Sequence, residues 1–280
     1  MDKLLAGIDL AQPGLEIGAL CRPIVPPHLG NIRYVDHLDT PGLRAKFAGD
    51  ASVDVDKLVH VDFVWGEQTL PQAVGGERFD YVIASHVIEH VPDTIGWLRE
   101  IAAVLNPGGR LALAIPDKRF TFDIRRELSA LPALLEAFLH GRRRPAVREI
   151  LDFACNVVSL DDPAAVEAVW RGDKTAQDFP LLHPGLLTSL GEAGLRQYFD
   201  RLMAGEYLDV HVHVYTPDSF MALLSQLAQI KLLPFSVLSF VPTAFGENEF
   251  FVSLQRLADE LPPGQARNLA VSSQAGPIHG

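Results

Sequence analysis

The chain has only two cysteines, Cys21 and Cys155, among 280 residues. That is too few for a disulfide framework, and it fits a reducing cytoplasm. No apolar run approaches the roughly 20 residues that a membrane-crossing helix needs. The opening residues, MDKLLAGIDLAQPG, carry an apolar patch too short and too acidic for a secretory signal. Positive charge is also in deficit. Lys and Arg number 24 against 35 Asp and Glu, a formal charge of −11, which excludes a general nucleic-acid binder with its basic footprint. No Gly-x-Gly-x-x-Gly follows the first candidate strand, which argues against a nicotinamide-dependent oxidoreductase. There is no internal repeat.

What is present is the composition of an ordinary globular chain, 48% hydrophobic and 21% charged, long enough for one large domain or a domain with a substantial insertion. Residues 79–116, FDYVIASHVIEHVPDTIGWLREIAAVLNPGGRLALAIP, organise it. Residues 81–84 are the apolar run of a strand buried on both faces. Asp93 is placed to cap a helix whose stripe is Ile95, Leu98, Ile101, Ala102 and Leu105. Asn106, Pro107, Gly108 and Gly109 stop that helix, and residues 110–115 form a second strand. Strand, crossover helix and strand make a βαβ unit, so the sheet is predicted to be parallel.

Three pieces of this stretch, Phe79-Asp80-Tyr81-Val82-Ile83, Glu89-His90-Val91-Pro92-Asp93 and Leu105-Asn106-Pro107-Gly108-Gly109, resemble the middle of class I S-adenosylmethionine-dependent methyltransferases. The resemblance implies an α/β fold with a Rossmann-like seven-stranded sheet. It implies S-adenosyl-L-methionine as cofactor and transfer of its methyl group to an oxygen or nitrogen of a small molecule. It covers residues 15–116 and 216–257 and places the binding loops at the carboxyl ends of the parallel strands.

In that frame, residues 14–18 are the first strand running into a loop. The resemblance gives Glu16 the cofactor's amino group and lets the Gly18 backbone approach the cofactor. The family's alternating glycines are missing here, since Ala19, Leu20, Cys21, Arg22 and Pro23 follow. Cys21 has no base nearby and reads as a plain loop thiol. The second strand, residues 31–36, ends in Asp36, with His37 beside it. Asp36 stands 20 residues after Glu16, close to the spacing at which nucleotide-binding folds set a carboxylate on the ribose. Residues 57–63 are the third strand or its approach, where the resemblance offers Asp62 and Phe63 to the adenine. Ser85 and His86 end the fourth strand, where the donor methyl is expected.

His86 and His90 are candidate proton acceptors, because an imidazole titrates near neutrality. Residues 209–215 alternate as a strand does, which turns His211 and His213 the same way. We expect His211 to join the catalytic group and His213 to meet substrate, with no metal. Lys118 and Arg119, just after the fifth strand, are the candidate contacts for a polar or anionic acceptor. Residues 118–148 hold eight basic residues against three acidic ones, a balance of +5 that leaves −16 elsewhere. This reads either as a salt-bridged helical face or as an attraction for an anionic substrate. A sugar or sugar-phosphate of bacterial surface polysaccharide assembly is the specific expectation.

Residues 117–215 interrupt the fold between strands 5 and 6 as a mostly helical insertion or lid. Helices are expected over 128–138, 150–158, 164–170 and 186–204, the third announced by Asp161 or Asp162 before Pro163. Thr216 and Pro217 open a helix with Phe220, Leu223, Leu224, Leu227 and Ile230 as its stripe, followed by strands at 235–241 and 249–257. The methyltransferase domain therefore comprises 1–116, of which 1–13 is a loose lead-in, and 216–261. Residues 262–280 are read as a flexible tail. Two rival readings remain: a cofactor-binding scaffold without turnover, motivated by the altered loop after Gly18, and a metal-assisted enzyme using His211 and His213.

Overall fold

A computed structural model describes residues 3–160, 162–185 and 189–258; the expected tail at 262–280, Asp161 and the first residues of the 186–204 helix lie outside them. One seven-stranded sheet organises the chain, in the order β3-β2-β1-β4-β5-β7-β6. Its strands are β1 (Gly14–Ile17), β2 (Ile32–Asp36), β3 (Phe63–Val64), β4 (Phe79–Ser85), β5 (Leu105–Pro116), β6 (Phe235–Val241) and β7 (Glu249–Arg256). The first five strands run parallel, and β7 inserts antiparallel between β5 and β6. This is the expected α/β Rossmann-like methyltransferase sheet. Of the expected third strand only Phe63 and Val64 pair; a single 3₁₀ turn, Val55–Lys57, leads towards it.

The period-2 pattern of β4 and β5 builds two cores. Val82, Ala84, Leu111, Leu113 and Ile115 face one side, where Leu98 and Ile101 of α3 (Thr94–Val104) pack on them. Asp93 caps α3 as expected, accepting from Gly96 N at 2.8 Å. The helix ends at Val104. Residues 106–109 are then bulged out of the ladder, because Phe79 pairs with Leu105 and Tyr81 with Arg110. On the other side Tyr81, Ile83, Ala112 and Ala114 are covered by Leu4 and Val25. Residues 3–13 are therefore not a loose lead-in. Leu4 is buried, Asn31 N donates to Leu10 O, and Lys3 pairs with Glu247.

Helices α1 (Thr40–Lys46) and α2 (Leu70–Ala73) flank the early strands. Between β5 and the capping helix of β6 lie α4 (Leu131–His140), α5 (Val147–Asn156), α6 (Pro163–Trp170) and α7 (Gly191–Met203). Asp162 caps α6 and Pro163 opens it. Helix α4 joins the main core through Leu134. The remainder packs as two small clusters, one of Phe120, Val158, Leu160, Val166 and Phe179, the other of Ile150, Leu202, Val210 and Val212. Helix α8 (Pro217–Gln229) buries the expected stripe except Ile230, which falls at its C-cap and is exposed. No described helix is long and apolar enough to cross a membrane.

Residues 209–215 do not form a strand. Every residue from Val210 to Tyr215 is buried, so the alternation has no solvent face to mark. Their backbone is held piecemeal: Val212 N and His213 N donate to Glu89 O at 2.7 and 3.0 Å, Lys118 N to Tyr215 O, and Ser129 N to Val214 O.

At the start of β1, Gly14 lies directly under the Tyr81 ring, and a Cβ there would come within 2.1 Å of it. Gly14→Ala is expected to cost about 1–3 kcal/mol by overpacking. In urea unfolding the Gly14→Ala/Tyr81→Ala pair should lose less than the sum of the single variants.

Candidate functional site

The strand register sets the site. Ile17 pairs with Val35 on one side and Ala84 on the other, which brings Gly18, Asp36 and Ser85 to a common edge. Strand order reverses at β1, and open α/β sheets bind ligands at such a crevice. Gly18 has φ +68°, and a Cβ on it would press Val87 at 3.3 Å, so only glycine gives this close backbone approach without strain.

Glu16 does not face the crevice. It is buried, and its two oxygens accept from Ile24 N at 2.7 Å and Val25 N at 3.1 Å. Burial raises its pKa to about 7 against the opposing pull of those two N–H donors. Its role is to brace residues 19–25 in place of the missing glycines; Ala19 sits in this loop, half-buried, and Leu20 takes φ +47°.

Asp36 Oδ1 accepts from His37 N at 2.7 Å and pairs with His37 Nδ1 at 2.6 Å, while His37 Nε2 lies 2.9 Å from Lys46 Nζ. Oδ2 of Asp36 takes no hydrogen bond among the described residues. Trp65 N donates to Asp36 O, and the buried Trp65 Nε1 has no partner. Asp62 is spent within the sheet: Oδ2 accepts from Tyr34 N at 2.9 Å and Oδ1 pairs with Arg33. Phe63 packs edge-on to Phe79.

Beyond Ser85 the chain turns sharply at His86, whose φ is +53° and whose N donates to Ala114 O. Three histidines gather at this turn, each held on one ring nitrogen by a carboxylate. His86 Nε2 meets Glu249 Oε2 at 2.7 Å, His90 Nδ1 meets Asp209 Oδ1 at 2.9 Å, and His211 Nδ1 meets Asp123 Oδ2 at 2.5 Å. Between them stands Glu89, fully buried, with His86 Nδ1 at 3.7 Å and His211 Nε2 at 3.9 Å from its Oε1. For His86, burial opposes the charged form, but the Glu249 hydrogen bond and the charges of Glu89 and Glu249 outweigh it and lift its pKa. His90 is lifted likewise: burial opposes, and the Asp209 bond and Glu89 prevail. Burial works against the Asp123 carboxylate, yet His211 and Arg126 hold its pKa down. The Arg126 guanidinium is buried between Asp123 at 2.8 Å and Asp152 at 2.8 Å.

Other expected contacts are engaged elsewhere. His213 is buried and turned from the crevice. Its Nδ1 lies 3.2 Å from Ser129 Oγ and its Nε2 donates to Pro92 O at 3.3 Å, and burial pushes its pKa down to about 4, so it is a neutral packing residue. Lys118 donates to Ile124 O. Arg119 forks onto the buried Asp117, which also accepts from Thr243. Much of the basic run is engaged too: Arg125 binds the Ala176, Gln177 and Phe179 carbonyls, Arg142 pairs with Glu136, Arg143 with Glu100, and Arg144 donates to Gly205 O, while Arg148 is exposed. Asp123 and Glu249 escaped sequence reading, and Glu89 was given no role of its own. Glu89 stands inside the quoted Glu-His motif, and Asp123 and Glu249 reach the site only through the fold.

Glu16 gives a pH signature. Its folded pKa is raised, so the native state holds the proton more tightly than the unfolded chain. The stability this contributes is present below about pH 4.5 and lost as pH rises through about 7. The stability of wild type relative to Glu16→Gln should therefore fall by on the order of 2–3 kcal/mol between about pH 4.5 and 8. Urea unfolding of both proteins across that range measures it, and a pH-independent difference would contradict the assignment.

The sequence profile described as "Methyltransferase domain" matches residues 13–157, just over half of the chain. A "Ubiquinone biosynthesis O-methyltransferase" of Methylobacterium sp. (strain 4-46) is 36% identical over 108 residues, 38% of this chain and 39% of that protein. The protein of the same name from Rhodopseudomonas palustris (strain BisB18) is 34% identical over 117 residues, 41% of this chain and 42% of that one. The chain thus spans about two fifths of the length of the curated relatives it matches. A solved S-adenosylmethionine-dependent methyltransferase from Mesorhizobium loti overlays 91% of this chain and 96% of its own at 14% identity with a TM-score of 0.40, too low for the overlay to add to the strand order. The profile match and the strand order agree: the chain belongs to the methyltransferase-domain family.

Proposed function

We propose that this chain methylates a hydroxyl oxygen of a small molecule that carries an apolar part. The observation that carries the reading is the arrangement at the strand ends, where the Gly18 and Asp36 edge meets a turn holding three carboxylate-backed histidines. S-adenosylmethionine, when bound, supplies a methyl group on a positively charged sulfur. The residues fit it: Gly18 leaves backbone room, Asp36 keeps Oδ2 for a ribose hydroxyl, and the orphaned Trp65 N–H stands near Asp36.

Of the three histidines, His86 is the most exposed, at 42% against 34% for His90 and 10% for His211. Glu249 holds its Nε2, which leaves Nδ1, 3.7 Å from Glu89 Oε1, as the proton acceptor. In this reading His86 takes the acceptor's proton as its oxygen bonds to the methyl carbon and the carbon–sulfur bond breaks. His90 and His211 line the acceptor's side.

The acceptor class rests on two supports. The relatives named above are O-methyltransferases. A cleft of about 250 Å³ beside Asp209, the partner of His90, is lined by Ile150, Phe153, Ala154, Tyr198, Leu208 and Val210, with His183 at its wall. That lining suits an apolar ring or chain. The expected sugar-phosphate finds no such support, since Lys118, Arg119, Arg125 and Arg142 are engaged in internal contacts.

Calorimetric titration with S-adenosylmethionine tests the cofactor half. Wild type is expected to bind, and Asp36→Ala to bind at least about tenfold more weakly, the loss of one charge-assisted hydrogen bond. Folded wild type that does not bind would overturn the reading. With an accepted phenolic or other hydroxyl substrate, His86→Ala should lower kcat by roughly 10²–10⁴-fold while cofactor affinity holds. Cofactor binding without turnover across a broad acceptor panel would instead favour a scaffold.

A further inference from the structure

The Glu89 side chain is not used by the chemistry above. It is completely buried, and neither carboxyl oxygen has a hydrogen-bond partner among the described residues. A buried polar group is almost always hydrogen-bonded, so an orphaned pair of oxygens marks an unfilled role. Sheet and loop geometry fix it in place: its neighbour Ile88 is buried in the main core, and its own backbone oxygen receives Val212 N and His213 N.

The geometry points to a divalent transition-metal site with Glu89, His90 and His211 as its protein ligands. One ligand atom from each lies within 4.8 Å of the others, and His211 Nε2 is already 3.9 Å from Glu89 Oε1. Ligands sharing one ion at bonds of about 2.0–2.2 Å stand roughly 3–4 Å apart, so small side-chain rotations close the set. The rings of His90 and His211 meet edge to face, 4.7 Å between centroids.

The outer contacts fit a metal better than they fit a plain hydrogen-bond cluster. Asp209 occupies Nδ1 of His90 and Asp123 occupies Nδ1 of His211. This leaves Nε2 of His211, 3.9 Å from Glu89 Oε1, and Nε2 of His90 clear of those two carboxylates. A carboxylate on the far nitrogen is how metal-bound histidines are oriented and made more basic. Asp123 is itself anchored by the buried Arg126. Two imidazoles and one carboxylate suit zinc, iron(II), cobalt(II) or manganese(II) rather than calcium or magnesium, which prefer oxygen shells. Three protein ligands leave positions open to solvent or substrate. An acceptor oxygen at such a position, beside His86, would be made more acidic. That use rests on the methyltransferase reading; the metal site itself does not.

The test uses the full chain stripped with chelator and titrated with zinc, and separately with cobalt(II), whose visible spectrum reports its coordination. One equivalent is expected to bind to wild type. Glu89→Gln and His211→Asn should each weaken binding by at least about tenfold, and Asp123→Asn by about 10–100-fold through His211. His140→Asn, at the end of α4, should change nothing. S-adenosylmethionine calorimetry on each variant confirms folding independently of metal. No metal binding by wild type, or equal binding by Glu89→Gln and His211→Asn, overturns the site while leaving the methyltransferase reading standing. Metal binding by a wild type that fails to bind cofactor would sink that reading and keep the site.

Discussion

Two hydrogen bonds to a single backbone oxygen hold the active face together. Glu89 O receives Val212 N and His213 N, and through them the end of a hundred-residue excursion is tied to the turn after β4. Without this tie His211 would have no fixed place, and Asp123, on the outgoing limb of the same excursion, would lose its partner. The tie works because the turn is rigid on its other side. His86 N is bonded to Ala114 O of β5, and Ile88 is sunk in the core. Sheet, turn and returning segment thus form one continuous hydrogen-bonded unit, and the histidines occupy its seam.

The same seam explains the distribution of charge. Buried Asp123 and Arg126 stand behind His211, with half-buried Asp152 on the far side of Arg126, and buried Asp117 is paired with Arg119 and Thr243 at the start of the excursion. Buried ions tolerate removal from water only when their partners are present and well aimed. Arg119 and Arg126 serve that need within the protein.

The loop after β1 shows how one side chain substitutes for a sequence motif. Alternating glycines would let a loop curl close to a ligand unaided. Here only Gly18 has that freedom at the crevice, and the curl of 19–25 is enforced by Glu16 accepting two backbone N–H groups from beneath. The carboxylate sits far from water to do so, and its raised pKa is the consequence.

The sequence by itself determined the sheet. The apolar runs within 79–85 and 110–116, the Asp93 cap, and the places of Gly18 and Asp36 at the strand ends are local signals, and each depends on residues close along the chain. It also determined that His86 and His90 stand at the end of β4. Tertiary structure alone decided the rest. The alternation of 209–215 looked like a strand, but burial on all sides made it a threaded segment, so His211 reached the site and His213 became packing. Glu16, Asp62, Lys118 and Arg119 carried suitable chemistry, yet their partners lie up to 29 residues away, and those partners consumed it. Asp123 and Glu249 became site residues because the fold brings 88 and 163 residues of separation to hydrogen-bond length. Short-range pattern fixes which backbone forms; which charged side chains remain free to act is settled by how the folded loops aim near and distant partners at them.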